Sequence, residues 1–148
     1  MLSAMSRAST APTLPAVGSL PSGLVAFVKR DCPTCVLVAP VLAELARHAS
    51  LTVYTQDDPA FPPGLPDEAA LVDDSTLDVS WHHAIEAVPT LLRVEDGREV
   101  ARAVGWHRGD WESLVGRAGL GAGLPEWRPG CGSLSVDPVH ARELELRH

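Results

Sequence analysis

The sequence has little cysteine, little positive charge and no long apolar run, and each shortage removes a class of protein. Three cysteines in 148 residues cannot build a disulfide framework. An odd count leaves one thiol over, and Cys32 and Cys35 stand only three positions apart. Redox chemistry or metal binding is the better use for them. Among the six histidines only His82 and His83 are adjacent, and no second Cys or His pair stands at zinc-knuckle spacing, so no metal site is expected. Twelve Lys and Arg against nineteen Asp and Glu leave a net charge of −7, with the basic residues scattered. Nucleic acid and anionic membrane both require a basic footprint, so neither is expected as a partner. No run approaches the roughly 18 apolar residues of a membrane span. The N-terminal stretch has only Arg7 ahead of a broken Ser/Ala/Pro/Thr sequence, unlike an export signal. The expected compartment is the cytoplasm.

What remains is 45% hydrophobic and 21% charged, enough for one core. Residues 1–22 have no sustained period and are expected to form a flexible N-terminal arm. The run Leu24-Val25-Ala26-Phe27-Val28 has no polar alternation, which predicts a strand buried on both faces. After Cys35, Leu37, Val38, Val41, Leu42 and Leu45 recur at helical spacing through His48, with Pro40 expected to bend the helix. Leu51–Thr55 reads as a second strand. Positions 56–74, with Pro59, Pro62, Pro63, Pro66 and many acids, read as an irregular acidic insertion.

Ser75 and Asp78 have capping-box spacing for a helix carrying Leu77, Trp81 and Ile85. Residues 88–94 and 99–104 then form a hairpin across Glu95-Asp96-Gly97-Arg98. Asp110 is expected to cap a helix with Trp111, Leu114 and Val115 on its apolar face. The order strand, helix, strand, helix, hairpin, helix predicts an α/β sandwich over residues 23–118. Residues 119–148 form a Gly- and Pro-rich extension carrying Cys131, with a short last helix expected after Asp137-Pro138.

A Cys-x-x-Cys between a buried strand and a helix suits thiol exchange. Helix-start N–H groups and the macrodipole stabilise a thiolate at Cys32. Pro33 has no N–H to leave unsatisfied in the first turn, and Cys35 returns to the same face one turn later. Cys32 is thus the expected nucleophile and Cys35 the resolving thiol.

Over roughly residues 23–118 the chain resembles the thioredoxin superfamily. Four features carry the resemblance in order: Cys32-Pro33-Thr34-Cys35, Pro40 five positions later, the run Val88-Pro89-Thr90-Leu91-Leu92, and the glycines Gly97 and Gly105. The resemblance implies a thioredoxin-like three-layer sandwich with a four-stranded mixed sheet flanked by helices. It also implies a cis-proline at Pro89 and a groove in which the Val88 backbone pairs with an extended substrate chain. Trp106 beside that groove is either an aromatic wall for substrate or plain core.

The implied activity is thiol-disulfide oxidoreduction on disulfide-containing proteins or small molecules. No bound cofactor is implied, and an external reductant, thioredoxin reductase or glutathione, would recharge the dithiol. Thioredoxins keep a buried aspartate six positions before the first cysteine, and here that position is Ala26. Lys29, Glu44 or water would have to take the proton of Cys35. The Cys-Pro-x-Cys form is closer to glutaredoxins, which makes a glutathione-linked enzyme the alternative, with Arg108 and Asp110 as candidate holders of a glutathione end. A non-catalytic binding module, for a metal or a protein client, is the other rival. Cys131, between Gly130 and Gly132, is a candidate third redox thiol meeting Cys32 or a partner's cysteine, or else an incidental buried thiol.

Overall fold

A computed structural model describes residues 19–135. The expected arm up to residue 18 and the expected helix after Asp137 lie outside the described residues. In chain order the elements are β1 (Gly23–Val28), α1 (Pro33–Ala46), β2 (Leu51–Thr55), β3 (Ala70–Asp73), α2 (Asp78–His82), β4 (Ala87–Val88), β5 (Thr90–Glu95), β6 (Arg98–Val104), β7 (Trp106–His107), α3 (Arg108–Val115), β8 (Trp127–Arg128) and β9 (Cys131–Gly132).

The central sheet has the order β3-β2-β1-β5-β6. β1, β2 and β3 run parallel, while β5 and β6 are antiparallel to their neighbours. After Gly23 every residue of β1 is buried, as is all of β2, so helices cover both faces of the sheet centre. The core joins Val25, Phe27 and Leu92 of the strands to Val38, Leu42 and Leu45 of α1 and Trp111 and Leu114 of α3. Phe27 stacks on Tyr54 across the parallel pair, with ring centroids 5.1 Å apart.

Several expectations change. The sheet has five strands rather than four, because β3 emerges from the stretch read as an irregular insertion. β3 is an edge strand and mostly exposed, so its sequence carries no apolar alternation to announce it. Its backbone pairs with Thr52–Thr55 all the same. Second, α2 is one short helix capped from outside: the Asp74 carboxylate accepts from the N–H groups of Val79 and Ser80 at 3.0 and 2.8 Å. Third, α3 is capped by His107, whose Nδ1 accepts from Asp110 N–H at 3.2 Å. Leu20, inside the stretch expected as an arm, is buried in the core.

Residues after 118 do not trail away. Leu120 is buried, β8 pairs with β7, and β9 pairs with β4. The segment from Gly119 to Leu134 therefore forms a strap across the end of the sheet where α1 begins. Arg108 fastens its first part, donating from Nε to the Leu120 carbonyl at 3.0 Å and from Nη2 to the carbonyls of Gly121 and Leu124 at 2.9 and 2.6 Å.

Candidate active site

Cys32 is the N-cap of α1, in extended conformation, and Pro33 opens the helix. The Cys32 sulfur takes the capping role of a side-chain oxygen and accepts the Cys35 N–H at 3.3 Å. It lies 3.5 Å from the Val88 carbonyl oxygen, to which the protonated thiol donates. The Val88–Pro89 peptide bond is cis. The loop leading into Cys32 is set by the acidic insertion: the Asp57 carboxylate accepts from Arg30 N–H at 2.7 Å and Asp31 N–H at 2.9 Å. That contact was open to inference, because the parallel register of β1 and β2 brings Thr55 beside Val28.

All three described cysteines are free thiols, and the structure brings them together. Burial by itself would raise the Cys32 thiol. Hydrogen bonds to its sulfur from the Cys131 side chain, from the backbone N–H and side chain of Cys35 and from the Thr34 backbone outweigh it, and the net shift is downward. Burial pushes the Cys35 thiol far above the ordinary range, and the neighbouring Cys32 sulfur adds to the shift. Cys131 is also raised, by burial first and then by its bond to Cys32. One acidic thiol beside two reluctant ones is the arrangement of an attacking sulfur with potential displacers.

The groove beside the cis-proline is already filled. Val88 and Cys131 are antiparallel bridge partners, as are Ala87 and Gly132. Thr34 Oγ1 donates to the Pro129 carbonyl at 2.7 Å, and Lys29 Nζ donates to the Gly132 carbonyl at 2.6 Å. Beyond β9, Gln56 Nε2 donates to Ser133 Oγ at 2.8 Å and Gln56 Oε1 accepts from Leu134 N–H at 3.0 Å. The same amide donates to Ser80 Oγ at 2.9 Å, and Ser80 Oγ donates to Asp74 at 2.6 Å. A buried polar chain thus ties the insertion to the strap. Close approach completes the fit: a Cβ on Gly130 would meet the Val88 carbonyl oxygen at 2.8 Å. With the strap in place, Cys32 is 1% exposed and Cys35 is wholly buried, while Cys131 stays partly open.

No family model matches the chain. Among curated proteins it is 30% identical over 93 residues to thioredoxin H-type 1 of Nicotiana tabacum, a match covering 62% of each chain. It is 26% identical over 92 residues to thioredoxin H-type of Oryza sativa subsp. indica, covering 62% of this chain and 64% of that one. The chain therefore matches less than two thirds of either relative's length. The fold is thioredoxin-like.

Two candidate roles from the sequence do not survive in this thioredoxin-like site. Trp106 is buried completely, stands edge-on to Trp111 with centroids 5.0 Å apart, and donates through Nε1 to the Pro125 carbonyl at 2.7 Å. It is core under the strap and offers no wall to substrate. Arg108 spends its Nε and Nη2 donors on strap carbonyls, so it is not free to hold a glutathione end while the strap is docked. The thioredoxin-like aspartate position, Ala26, is fully buried. Of the stand-ins, Glu44 faces Arg117 at 3.6 Å and Lys29 holds Gly132. Among the described residues no group of three or more His, Cys, Asp or Glu is arranged to hold a metal ion, and no helix is long and apolar enough to cross a membrane. The functional residues that sequence missed are Gln56, Asp57 and Thr34. Only long-range pairing reveals the first, since nothing local distinguishes a buried glutamine at the end of a strand.

Proposed function

We propose that this protein is a thiol-disulfide oxidoreductase working through Cys32 and Cys35. The observation that carries the proposal is the Cys32 sulfur itself, capping α1 through the Cys35 N–H at 3.3 Å and facing the Val88 carbonyl beside cis-Pro89. The Cys32 thiolate attacks one sulfur of a substrate disulfide and forms a mixed disulfide, and the other substrate sulfur leaves as a thiol. A second protein thiol, Cys35, then attacks the Cys32 sulfur. The second substrate thiol departs and a Cys32–Cys35 disulfide remains, so two electrons have passed to the substrate. An external reductant, thioredoxin reductase or glutathione, returns them.

The relatives are named thioredoxins, which supports this reading. Disulfide-bearing proteins or small molecules are the proposed substrates and the cytoplasm the proposed setting. Reduction of insulin disulfides is the test, with reducing equivalents supplied in turn by thioredoxin reductase and by glutathione. Activity lost in Cys32→Ser supports the proposal. Absence of Cys32-dependent reduction with either donor defeats it.

A further inference from the structure

The strap supplies what an incoming substrate would: an antiparallel strand on Val88 and a sulfur beside Cys32. Cys131 is the bridge partner of Val88, whose carbonyl oxygen lies 3.5 Å from the Cys32 sulfur, and the Cys131 thiol favours the Cys32 thiolate. Contacts on both sides of Cys131 fix that register, through Thr34 to Pro129, Lys29 to Gly132 and Gln56 to Ser133. Gly130 admits the close approach, since a side chain there would strike the Val88 carbonyl. Cys35, by contrast, is wholly buried with alanine at position 26, so the resolving thiol of the dithiol has no carboxylate there to take its proton.

Resting on the reading of Cys32 as nucleophile, we propose that Cys131 is a second resolving thiol and that the strap is a tethered substrate whose return expels an adduct from Cys32. When the strap lifts, Cys32 captures a substrate sulfur as a mixed disulfide. When it returns, the Cys131 thiolate, having given its proton to water, attacks the Cys32 sulfur. The bond from Cys32 to the substrate sulfur breaks, that sulfur leaves as a thiolate and takes up a proton, and a Cys32–Cys131 disulfide forms. The substrate disulfide of the first step is the oxidant, and both its sulfurs end as thiols. A substrate chain and the strap compete for one backbone edge, so docking of the strap removes the peptide as its thiol removes the bond. Cys35 or the external reductant then reopens the Cys32–Cys131 bond.

The test uses the full chain carrying Cys35→Ser, with Cys35→Ala in parallel in case a buried hydroxyl unsettles the helix start, and glutathione disulfide as the oxidant. The expected product is a chain free of glutathione in which peptide mapping finds Cys32 joined to Cys131, while Cys35→Ser with Cys131→Ser keeps one glutathione on Cys32. Adding Gly130→Val to Cys35→Ser should slow the transfer about tenfold, the effect of one or two weakened hydrogen bonds. If Cys35→Ser retains glutathione on Cys32 with Cys131 still open to alkylation, the proposal is overturned while Cys32 keeps its role. If the doubly substituted chain takes up no glutathione at all, Cys32 is no nucleophile and the proposed function falls with it. An unchanged rate with Gly130→Val overturns the part assigned to the strap.

Discussion

Val88 and Cys131 face each other across an antiparallel bridge, so the backbone edge beside cis-Pro89 is covered by the chain's own strand. Edge pairing is a general way of holding an extended peptide. A partner on the same chain competes at an effective concentration on the order of mM when its tether is short and flexible. An outside chain must therefore displace a strand already held by Thr34, Lys29 and Gln56. Reactivity at Cys32 becomes the product of two quantities, the acidity of the thiol and the fraction of time the strap is lifted.

The second quantity answers to Thr34. Its hydroxyl donates to the Pro129 carbonyl at 2.7 Å, and Thr34→Val keeps the shape while deleting the donor. One hydrogen bond has a net worth near 1 kcal/mol, so the lifted fraction should rise about fivefold. Alkylation of Cys32 by iodoacetamide, at a pH where the thiolate is saturated, should accelerate by that factor. An unaltered rate would mean that the strap does not gate the sulfur.

The first quantity answers to Cys131. Burial opposes the Cys32 thiolate and the Cys131 hydrogen bond is the foremost influence favouring it. Cys131→Ala removes that donor, so the midpoint of the alkylation profile should move to higher pH. Cys131→Ser keeps a donor and should fall between the two. The midpoint is the quantity to compare, because either substitution also changes access and hence the plateau.

Much of this site was legible from local sequence. A strand without polar alternation, a helix opening on proline and a Cys-x-x-Cys between them lie in adjacent residues, and their geometry follows from helix capping and strand burial. The groove's occupant was not legible. Cys131 follows Val88 by 43 positions, and contacts between residues far apart in sequence bring it back, the Gly105–Gly130 approach and the β7–β8 pairing among them. Trp106 had both a wall and a core reading because an aromatic beside a groove has the same sequence signature either way. Its burial was decided by Gly121 and Pro125, residues of a segment whose glycines and prolines suggest only loop. β3 was hidden for the opposite reason, as an exposed edge held by backbone bonds to which side chains are nearly indifferent.

Gln56 links the insertion to the strap, and its loss should be felt at both ends. The side chain is 1% exposed and bonds to Ser80, Ser133 and the Leu134 N–H. Gln56→Leu fills similar space but leaves buried Ser80 without its amide donor and Leu134 N–H without its acceptor. The expected cost is about 1–3 kcal/mol of folding stability, read from urea unfolding. Alkylation of Cys32 should quicken in the same variant under native conditions. Loss of stability with no change at Cys32 would place the network in the fold alone.

Asp74 makes the same network sensitive to pH, and the direction can be worked out. Its carboxyl is buried, which raises its pKa above the ordinary aspartate value even though Ser80 and the Val79 N–H hydrogen-bond to it, and nearby Asp78 pushes the same way. The folded chain therefore holds this proton more tightly than the unfolded chain does. Below the ordinary aspartate pKa both states are protonated and no penalty arises. As pH rises, the unfolded chain ionises first and stability falls, until the folded carboxyl has also lost its proton. Asp74→Asn cannot ionise. Between about pH 4 and 7 its urea midpoint should decline less steeply than that of the natural chain, once the carboxylates common to both are subtracted. Tyr54, which also senses Asp74, stays neutral throughout that range. Parallel pH curves for the two chains would show that the carboxyl has no raised pKa, and its hold on Ser80 would then have to be that of an ordinary ionised cap.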